Sequence, residues 1–504
     1  MVEPPANSDG PGPAAPTEAA QASDAAQVAA AAPPATRRTP RRLAIGLVVA
    51  VALAGGLAVW QSARSTLPSP SVAPGSPPAG SEPLIALIDR HGALTTIDAS
   101  GTSVVLADEP GTTYGFPAWS PDGSRVAAIV YGASDASISI FPAARGEPRP
   151  SPAASPTVAY RSATSPPFYL YWAPDGHHLS FLATEADGIS LRLAPADGSG
   201  PLDGGPGTVI RQGAPLYFDW IAADRLLLHV GNGPAAFLGE VGLDGAAVAP
   251  ALVGTGDFRP AVAGASGSFI AFVRGQAPSA SLVVAARDGS AEHATPVFGP
   301  TAIVFDPSGT TVATIAADQP APIPLAFPVG PLRLIDAASG ATRTLLSGTV
   351  VAFFWAPDGR TIAVLRLQAG GGSTAAAGPI VAAAAVSTPS QAATPTPSQA
   401  DTPSQAATPT PAPTPGPELH LLFVNVADGA IRSDRIARLS TPFVRTFLPY
   451  FDQYALSHRV WAPDSSSLLL PLVDETGATQ VVALEPDGNE NPRRLDGDSG
   501  FWSP

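Results

Sequence analysis

Short apolar runs separated by turn sequences repeat along the chain from residue 83 to its C-terminus. Examples are RVAAIV at 125–130, HLSFLA at 178–183 and TIAVLRL at 361–367. These runs are nearly continuously apolar instead of alternating, which is typical of strands covered on both faces. The pattern therefore predicts an all-β region in which sheets stack against other sheets.

Each apolar run follows a turn, and each turn follows an aromatic or aliphatic anchor residue. In WSPDG at 119–123, the proline presets φ for the second position of a type I turn, and glycine is favoured at the fourth position. The aspartates of these turns occur singly, each in its own repeat, which favours a role in the turn over a ring of metal ligands. The anchors are Trp119, Trp172, Trp220, Val262, Phe305, Trp355 and Trp461.

A second landmark, a strand that ends in an Asp/Gly turn, recurs between the anchors. It is illustrated by LRLAPADG at 191–198 and VVALEPDG at 481–488. Two turn landmarks in each unit of about 45 residues fit four short strands, which is the pattern of a propeller blade. The sequence predicts a β-propeller over 83–504 with eight blades, or with seven if residues 220–297 form one irregular blade.

Two features complete the predicted ring. Residues 369–417 are of low complexity, rich in Thr, Pro, Ala and Ser, and are expected to be a disordered insertion between the second and third strands of one blade. The chain ends in GFWSP at 500–504, which is the start of another repeat, whereas residues 84–107 read as the remainder of a blade. Joining the two ends in one composite blade would close the ring and remove exposed strand edges.

The W-[SA]-P-D-G turn, the apolar strand after it and the later D-G turn resemble the TolB-type propeller repeats, which are relatives of WD repeats. The resemblance covers about 84–504 outside the insertion and implies a propeller fold. It implies little about function, because such blades occur in binding proteins, peptidase-associated domains and sugar-active enzymes. The chain departs from TolB in having a predicted membrane anchor, no preceding α/β domain and more predicted blades than TolB has, so the resemblance does not imply a role in the Tol–Pal envelope system.

An uncharged apolar segment, 43–60, precedes the propeller region. Its eighteen residues are long enough to cross the hydrocarbon layer as a helix. Four arginines stand directly before it, so the positive-inside rule places the tail 1–42, expected to be disordered, in the cytoplasm and the propeller outside. The Pro/Ser-rich stretch 61–82 is expected to be a tether. The alternative interpretation of 43–60 is a cleaved signal peptide.

Composition and motifs exclude several classes of chemistry. The chain has no Cys and a net charge of −14, which rules out thiolate sites and disfavours nucleic acid as a partner. Neither G-x-S-x-G nor H-E-x-x-H occurs. We therefore predict no catalytic residues, no metal and no cofactor from motifs, although a cluster assembled from several blades would be invisible in the sequence.

One stretch, 443–461, departs from the repeat. It combines aromatic residues with polar and charged ones, a composition typical of recognition surfaces. The hypothesis is a ligand or partner pocket at one mouth of the ring. The alternative is that the aromatics fill a blade interface and the polar groups satisfy one another. The candidate residues are Asp452, Gln453, Tyr454, His458 and Arg459.

Taken together, these features predict a membrane-anchored extracytoplasmic propeller of the bacterial cell envelope. Its expected role is that of a TolB-like binding or protein-interaction scaffold with a protein or glycan partner, and not that of an enzyme. The alternative is an extracellular propeller enzyme, a hydrolase or lyase acting on sugars or lactones, with its site in the central channel.

Overall fold

A computed structural model describes residues 82–504 except 145–154, 201–206, 233–235, 249–259, 277–278, 322–324, 326, 369–417 and 490. The predicted tail 1–42, the segment 43–60, nearly all of the tether 61–82 and the insertion 369–417 lie outside the described residues. Among the residues that are described, no helix is long and apolar enough to cross a membrane.

The described part of the chain is built almost entirely of strands. In chain order they are β1 (Ile85–Asp89), β2 (Leu94–Ile97), β3 (Ser103–Ala107), β4 (Thr113–Trp119), β5 (Arg125–Tyr131), β6 (Ala136–Pro142), β7 (Thr157–Ser162), β8 (Pro167–Trp172), β9 (His178–Glu185), β10 (Gly188–Pro195), β11 (Thr208–Gln212), β12 (Leu216–Ala222), β13 (Arg225–Val230), β14 (Phe237–Gly242), β15 (Ala261–Ala263), β16 (Phe269–Arg274), β17 (Ser281–Ala286), β18 (Glu292–Pro296), β19 (Phe298–Phe305), β20 (Thr311–Ala317), β21 (Gly330–Asp336), β22 (Thr342–Trp355), β23 (Thr361–Gln368), β24 (Glu418–Asn425), β25 (Ile431–Ile436), β26 (Leu468–Val473), β27 (Thr479–Leu484), β28 (Arg494–Leu495) and β29 (Gly497–Trp502).

The strands pair antiparallel with their neighbours in sequence, as expected for four-stranded units. Within the described residues the sheets have the orders β29-β1-β2-β3, β4-β5-β6-β7, β8-β9-β10-β11, β12-β13-β14, β15-β16-β17-β18, β19 to β25, and β26-β27-β28. Bridges between Val241 and Ala247 and between Trp461 and Leu468 extend the two three-stranded sheets. The all-β prediction is confirmed, and the described strands form several antiparallel sheets of the size expected for propeller blades.

The sheet β19 to β25 contains two units joined by one long strand. The first half of β22 pairs with β21, and its second half pairs with β23. In the second unit Gln368 at the end of β23 faces Glu418 at the start of β24. The two strand ends that flank residues 369–417 therefore lie side by side in the sheet.

The repeated turn has the chemistry expected from its sequence. The N–H of Gly123 donates to the carbonyl of Ser120 at 2.9 Å, and φ of Gly123 is +67°, where glycine is favoured. The turn aspartates each accept the N–H of the residue two positions on, for example His177 N–H to Asp175 at 2.8 Å. Ser465 takes the glycine position of the last such turn, with φ at +63°.

Several tryptophan anchors join their unit to the one before it. The indole N–H of Trp119 donates to the carbonyl of Phe501, that of Trp172 to Ala118, and that of Trp461 to Phe354, at 3.0–3.1 Å. These indoles are buried, so each adds apolar burial of several kcal/mol to one directional bond. Because each bond runs from one unit to its neighbour, the anchors determine how the units pack.

One predicted anchor, Val262, is in the wrong register by one residue. The N–H of Gly264 donates to the carbonyl of Phe269, the bond that Ser120 makes to Arg125 in the first full repeat. The residue equivalent to Trp119 is therefore Ala263. This segment has no aromatic residue to mark the register, and only the hydrogen bond across the turn defines it.

The two ends of the described region meet in one sheet. Strand β29 pairs with β1 from Ile85–Trp502 to Asp89–Gly497. Beyond the pair, Ser503 N–H donates to the carbonyl of Leu84 at 2.8 Å and its hydroxyl accepts the N–H of Leu84 at 3.0 Å. The predicted composite blade is confirmed.

Candidate functional site

A helical segment, absent from every other unit of the described chain, packs among the inner strands of several sheets. It consists of a π-helix (Phe443–Phe447), a 3₁₀ turn (Leu448–Tyr450) and an α-helix, α1 (Phe451–Ser457), and we call it the channel helix. Pro449 falls within the 3₁₀ turn, where its missing N–H prevents a continuous α-helix. Contacts of α1 with β8, β12, β19 and β22 show that it lies where the inner strands converge.

Stacked aromatic rings fix the channel helix in place. Phe447 stacks on Phe443 and on Tyr454, with ring centroids 4.7 Å apart in both pairs. Tyr454 stacks on Phe116 of β4 at 5.6 Å, and Phe451 meets Phe353 edge to face at 5.3 Å. These aromatic rings therefore fill space where the inner strands of several sheets converge, whereas the alternative interpretation of 443–461 expected them at an interface between blades.

A cavity of about 510 Å³ lies where the inner strands run into the repeated turns. Prolines of the turns surround it, and the aromatic anchors form much of its wall. The last residues of the channel helix and those that follow it, 455–460, line another part. The lining residues used below are Tyr171, Asp219, Ala263, Asp306, His458 and Arg459.

A small residue in one repeat helps to make room for this cavity. Where most units carry an aromatic ring, Ala263 has only a methyl group, and the cavity extends along Ala263, Gly264 and Ala265. The N–H of Ala263 donates to a carboxylate oxygen of Asp219 at 2.9 Å. The space that an indole would fill in this unit is thus bordered by a carboxyl group.

Asp219 is a buried carboxyl group on the cavity wall. Its second oxygen accepts the hydroxyl of Tyr171 at 3.2 Å. Burial outweighs these hydrogen bonds and raises the pKa of Asp219 to about 7. The group can therefore both release and accept a proton near neutral pH, which general acid–base catalysis requires.

Arg459 lines the same cavity and is exposed there. Desolvation by the surrounding walls lowers its pKa, but a guanidinium keeps its charge in proteins. Its positive charge acts on Tyr171, the residue that donates to Asp219. The backbone of Arg459 is held by the N–H of Trp502, which donates to its carbonyl at 2.8 Å.

His458 is buried and engaged on both ring nitrogens. Nδ1 lies 2.7 Å from the hydroxyl of Ser457, and Nε2 lies 3.5 Å from the carbonyl of Phe116. Burial lowers the pKa of His458 to about 4, so the imidazole is neutral at physiological pH. It contributes shape and polarity to the cavity, and no charge.

The five predicted site residues divide into two groups. His458 and Arg459 line the cavity, whereas Asp452, Gln453 and Tyr454 are buried in the first turns of α1 and are not among the lining residues. Tyr454 belongs to the aromatic stack, and the carbonyl of Gln453 accepts the hydroxyl of Tyr169 at 3.0 Å. Burial raises the pKa of Asp452 to about 7.

The sequence argument missed Asp219 and Tyr171. A signal was present in the repeat register, because both residues stand directly before an anchor tryptophan. The same position holds Ala118 in an earlier unit and Phe354 in a later one. A carboxylate in the position before the anchor departs from the repeat. Departure from the repeat was also the signal that marked 443–461 in the sequence.

The described residues include no group of three or more His, Asp or Glu side chains arranged to hold a metal ion. Asp306, at the cavity rim, is engaged within its own turn by the N–H groups of Thr310 and Thr311, at 2.8 and 2.7 Å. The polar groups that line the cavity include the carboxyl group of Asp219, the hydroxyl of Tyr171, the guanidinium of Arg459 and the neutral imidazole of His458.

No family model and no curated protein matches the chain. Solved structures that are similar include the dihydro-heme d1 dehydrogenase NirN (12% identity, 86% of this chain and 77% of that one, TM-score 0.47). They also include a putative 6-phosphogluconolactonase from Bacteroides uniformis (14%, 84% and 100%, TM-score 0.39) and a putative TolB from Agrobacterium tumefaciens (17%, 54% and 91%, TM-score 0.31). TolB propellers are thus among the similar structures, but membership of the TolB type is not shown.

The comparison corrects one prediction. The expectation that the chain is not an enzyme is wrong as an inference from this fold and its missing motifs, because enzymes stand among the similar structures. Their TM-scores are below 0.5, so they assign no particular activity to this chain. The function has to be argued from the cavity itself.

Proposed function

We propose that the chain is a propeller enzyme, a hydrolase or lyase that acts on a sugar or lactone in the central cavity, with Asp219 as general acid–base. The observation that carries this proposal is the position of Asp219, a buried carboxyl on the wall of a ligand-sized cavity, held by Tyr171 and the N–H of Ala263. Cavities of several hundred Å³ with apolar walls and few polar groups are typical of small-molecule sites.

The surroundings of Asp219 support this role. The two hydrogen bonds fix the carboxyl group, which removes the need to order it during the reaction. The raised pKa supports proton transfer near pH 7, because a group whose pKa matches the working pH is both available and reactive. Aromatic side chains such as Trp220 and Phe305 are among the lining residues, and aromatic side chains suit the apolar faces of a sugar ring.

The test is turnover by the full-length, detergent-solubilised protein. The substrates are glucono-δ-lactone, with acid release as the readout, and polysaccharides, with new reducing ends or the ultraviolet absorbance of unsaturated products as readouts. Asp219→Asn is expected to lower kcat by about 10²–10⁴-fold and to fold normally. Asp358→Asn, in an exposed turn, is the matched control and should keep full activity. Turnover of none of these substrates, or an unimpaired Asp219→Asn protein, would contradict the proposal.

We also propose that the protein is anchored through residues 43–60, with the ring outside the cytoplasm, as the arginines before the segment and the Pro-rich stretch after it suggest. Protease added to intact cells should then cut within 61–82 and release the propeller in soluble form. If the propeller resisted the protease until the cells were lysed, it would lie in the cytoplasm and the proposal would be wrong.

We propose, finally, that the ring has eight blades. Counting β19 to β25 as two units, the sheets supply eight four-stranded units or their equivalents. Residues of β12 to β14 and β15 to β18 form separate sheets, which argues against a single irregular blade over 220–297. The proposed propeller therefore has eight blades, and its repeat is TolB-like.

A further inference from the structure

Arg459 differs from other arginines that reach between blades. Arg125 donates to the carbonyl of Gly176 at 2.7 Å, and Arg287 forms a two-pronged ion pair with Glu240 of β14, with both N–O distances 2.9 Å. Among the described residues, the side chain of Arg459 makes no hydrogen bond or ion pair. A guanidinium has five N–H donors, and in a walled cavity these donors are available to a ligand.

The remaining charges of the cavity do not neutralise Arg459. Asp306 is engaged by its own turn: one carboxylate oxygen accepts the N–H groups of Thr310 and Thr311, and the other accepts the hydroxyl of Ser308 at 2.5 Å. Asp219 is engaged by Tyr171 and Ala263. His458 is held between Ser457 and a backbone carbonyl. The guanidinium of Arg459 is thus the charged group of the cavity lining that lacks a partner.

We infer that Arg459 binds the carboxylate of the substrate, and that the substrate is a small cyclic carboxylic acid such as a sugar acid. A guanidinium matches a carboxylate through two parallel hydrogen bonds. The aromatic walls favour a ring-shaped body for the rest of the molecule, and the volume admits one or two such rings. This inference rests on the proposed function, because it names the substrate class for the same cavity.

One carboxylate fits the cavity better than a phosphate group. A phosphate carries nearly two negative charges at neutral pH, whereas the lining supplies one unpaired cation. The chain as a whole has a net charge of −14, which further opposes the binding of a multiply charged anion. The aspartates that line the cavity add to this opposition when they are ionised.

The experiment compares three probes of similar size with the full-length protein in detergent. Isothermal titration measures the affinity for D-glucuronate, for D-glucose and for D-glucose 6-phosphate. Glucuronate is expected to bind at least tenfold more tightly than the other two. Arg459→Gln should remove this preference, and Arg459→Lys should keep part of it, because an ammonium has the charge without the fork of donors.

Arg445→Gln is the control variant, since Arg445 is exposed on the channel helix and does not line the cavity. It should bind glucuronate as the wild type does. Equal affinities for glucuronate and glucose, no binding of any probe, or tighter binding of the phosphate would each overturn the inference. The proposed acid–base role of Asp219 is tested separately, by turnover of the uncharged lactone. A wrong assignment of the carboxylate-binding role to Arg459 can therefore be distinguished from a wrong assignment of the acid–base role to Asp219.

Discussion

Two buried residues near the centre of the ring, Asp452 and His458, make the stability of the protein depend on pH in opposite directions. Burial raises the pKa of Asp452 to about 7, so the folded protein retains a proton that the unfolded chain loses near pH 4. The stabilisation that comes from this group is complete below about pH 4 and is lost as the pH rises through 7. Burial lowers the pKa of His458 to about 4, so its contribution is lost instead as the pH falls from about 6.5 through 4.

Replacing Asp452 by Asn should therefore stabilise the protein at pH 8 and have little effect at pH 4. The amide keeps an oxygen that can accept the N–H of Gln453, which now donates to the carboxylate at 3.0 Å. We expect a gain of about 1–3 kcal/mol in unfolding free energy at pH 8, less than the full pKa shift implies, because a buried site relaxes around a charge. Urea unfolding at both pH values measures it.

Asp464→Asn is the control for this prediction, because Asp464 sits in an exposed turn and accepts the N–H of Ser466. It should change stability little, and similarly at the two pH values. If Asp452→Asn were destabilising at pH 8, the carboxylate of Asp452 would have to make a favourable charged contact, and the burial argument would be wrong.

At the scale of elements, local sequence predicts the strands and turns well. The WSPDG turn at 119–123 needs only proline, aspartate and glycine in order, and its hydrogen bonds form within the segment. The last such turn, at 462–465, shows the limit of local rules. Ser465 adopts a glycine-type φ, and its hydroxyl accepts the N–H of Asp358 from the neighbouring turn at 3.0 Å, a bond that only the assembled ring provides.

The channel helix could not be predicted as a helix. Its segment contains Pro449 and many aromatics, which are weak helix formers, and it has no side-chain cap. Packing against the inner strands makes it helical, so the structure of this element is tertiary in origin. The departure of 443–461 from the repeat nevertheless marked this stretch, and two of the five candidate residues, His458 and Arg459 directly after the channel helix, line the cavity.

Asp219 was missed for a related reason. Strand patterns tell which residues share a face of one sheet, but they do not tell which inner strands approach each other at the centre of a ring. The cavity also depends on Ala263, because its small methyl group leaves the space that an aromatic anchor fills in most other units. The sequence alone thus locates the repeated framework, whereas the meeting of Tyr171, Asp219 and Arg459 is a product of closure.

For the whole molecule, closure depends on a few C-terminal residues. Strand β29 is the innermost strand of the sheet that also contains β1, β2 and β3. The carbonyl of Phe501 accepts the indole N–H of Trp119, and Ser503 exchanges two hydrogen bonds with Leu84. Phe501 and Trp502 are both buried, the first against the channel helix and the second in a core shared with β26 and β27.

Removal of residues 499–504 should therefore destabilise the entire ring, since it exposes the edge of β1, uncovers the wall of the neighbouring unit and frees one side of the channel helix. Burial of an aromatic side chain is worth about 3–5 kcal/mol, so the loss of two approaches the total stability of an ordinary domain. Thermal unfolding of the full chain and of the truncated chain measures the effect, which should appear as a broader transition at a lower temperature.

Ser503→Ala is the graded control, because it removes only the side-chain bond to Leu84 and should cost about 1 kcal/mol. A truncated protein that unfolds like the wild type would show that β29 is dispensable and that the ring closes by contacts other than the composite sheet.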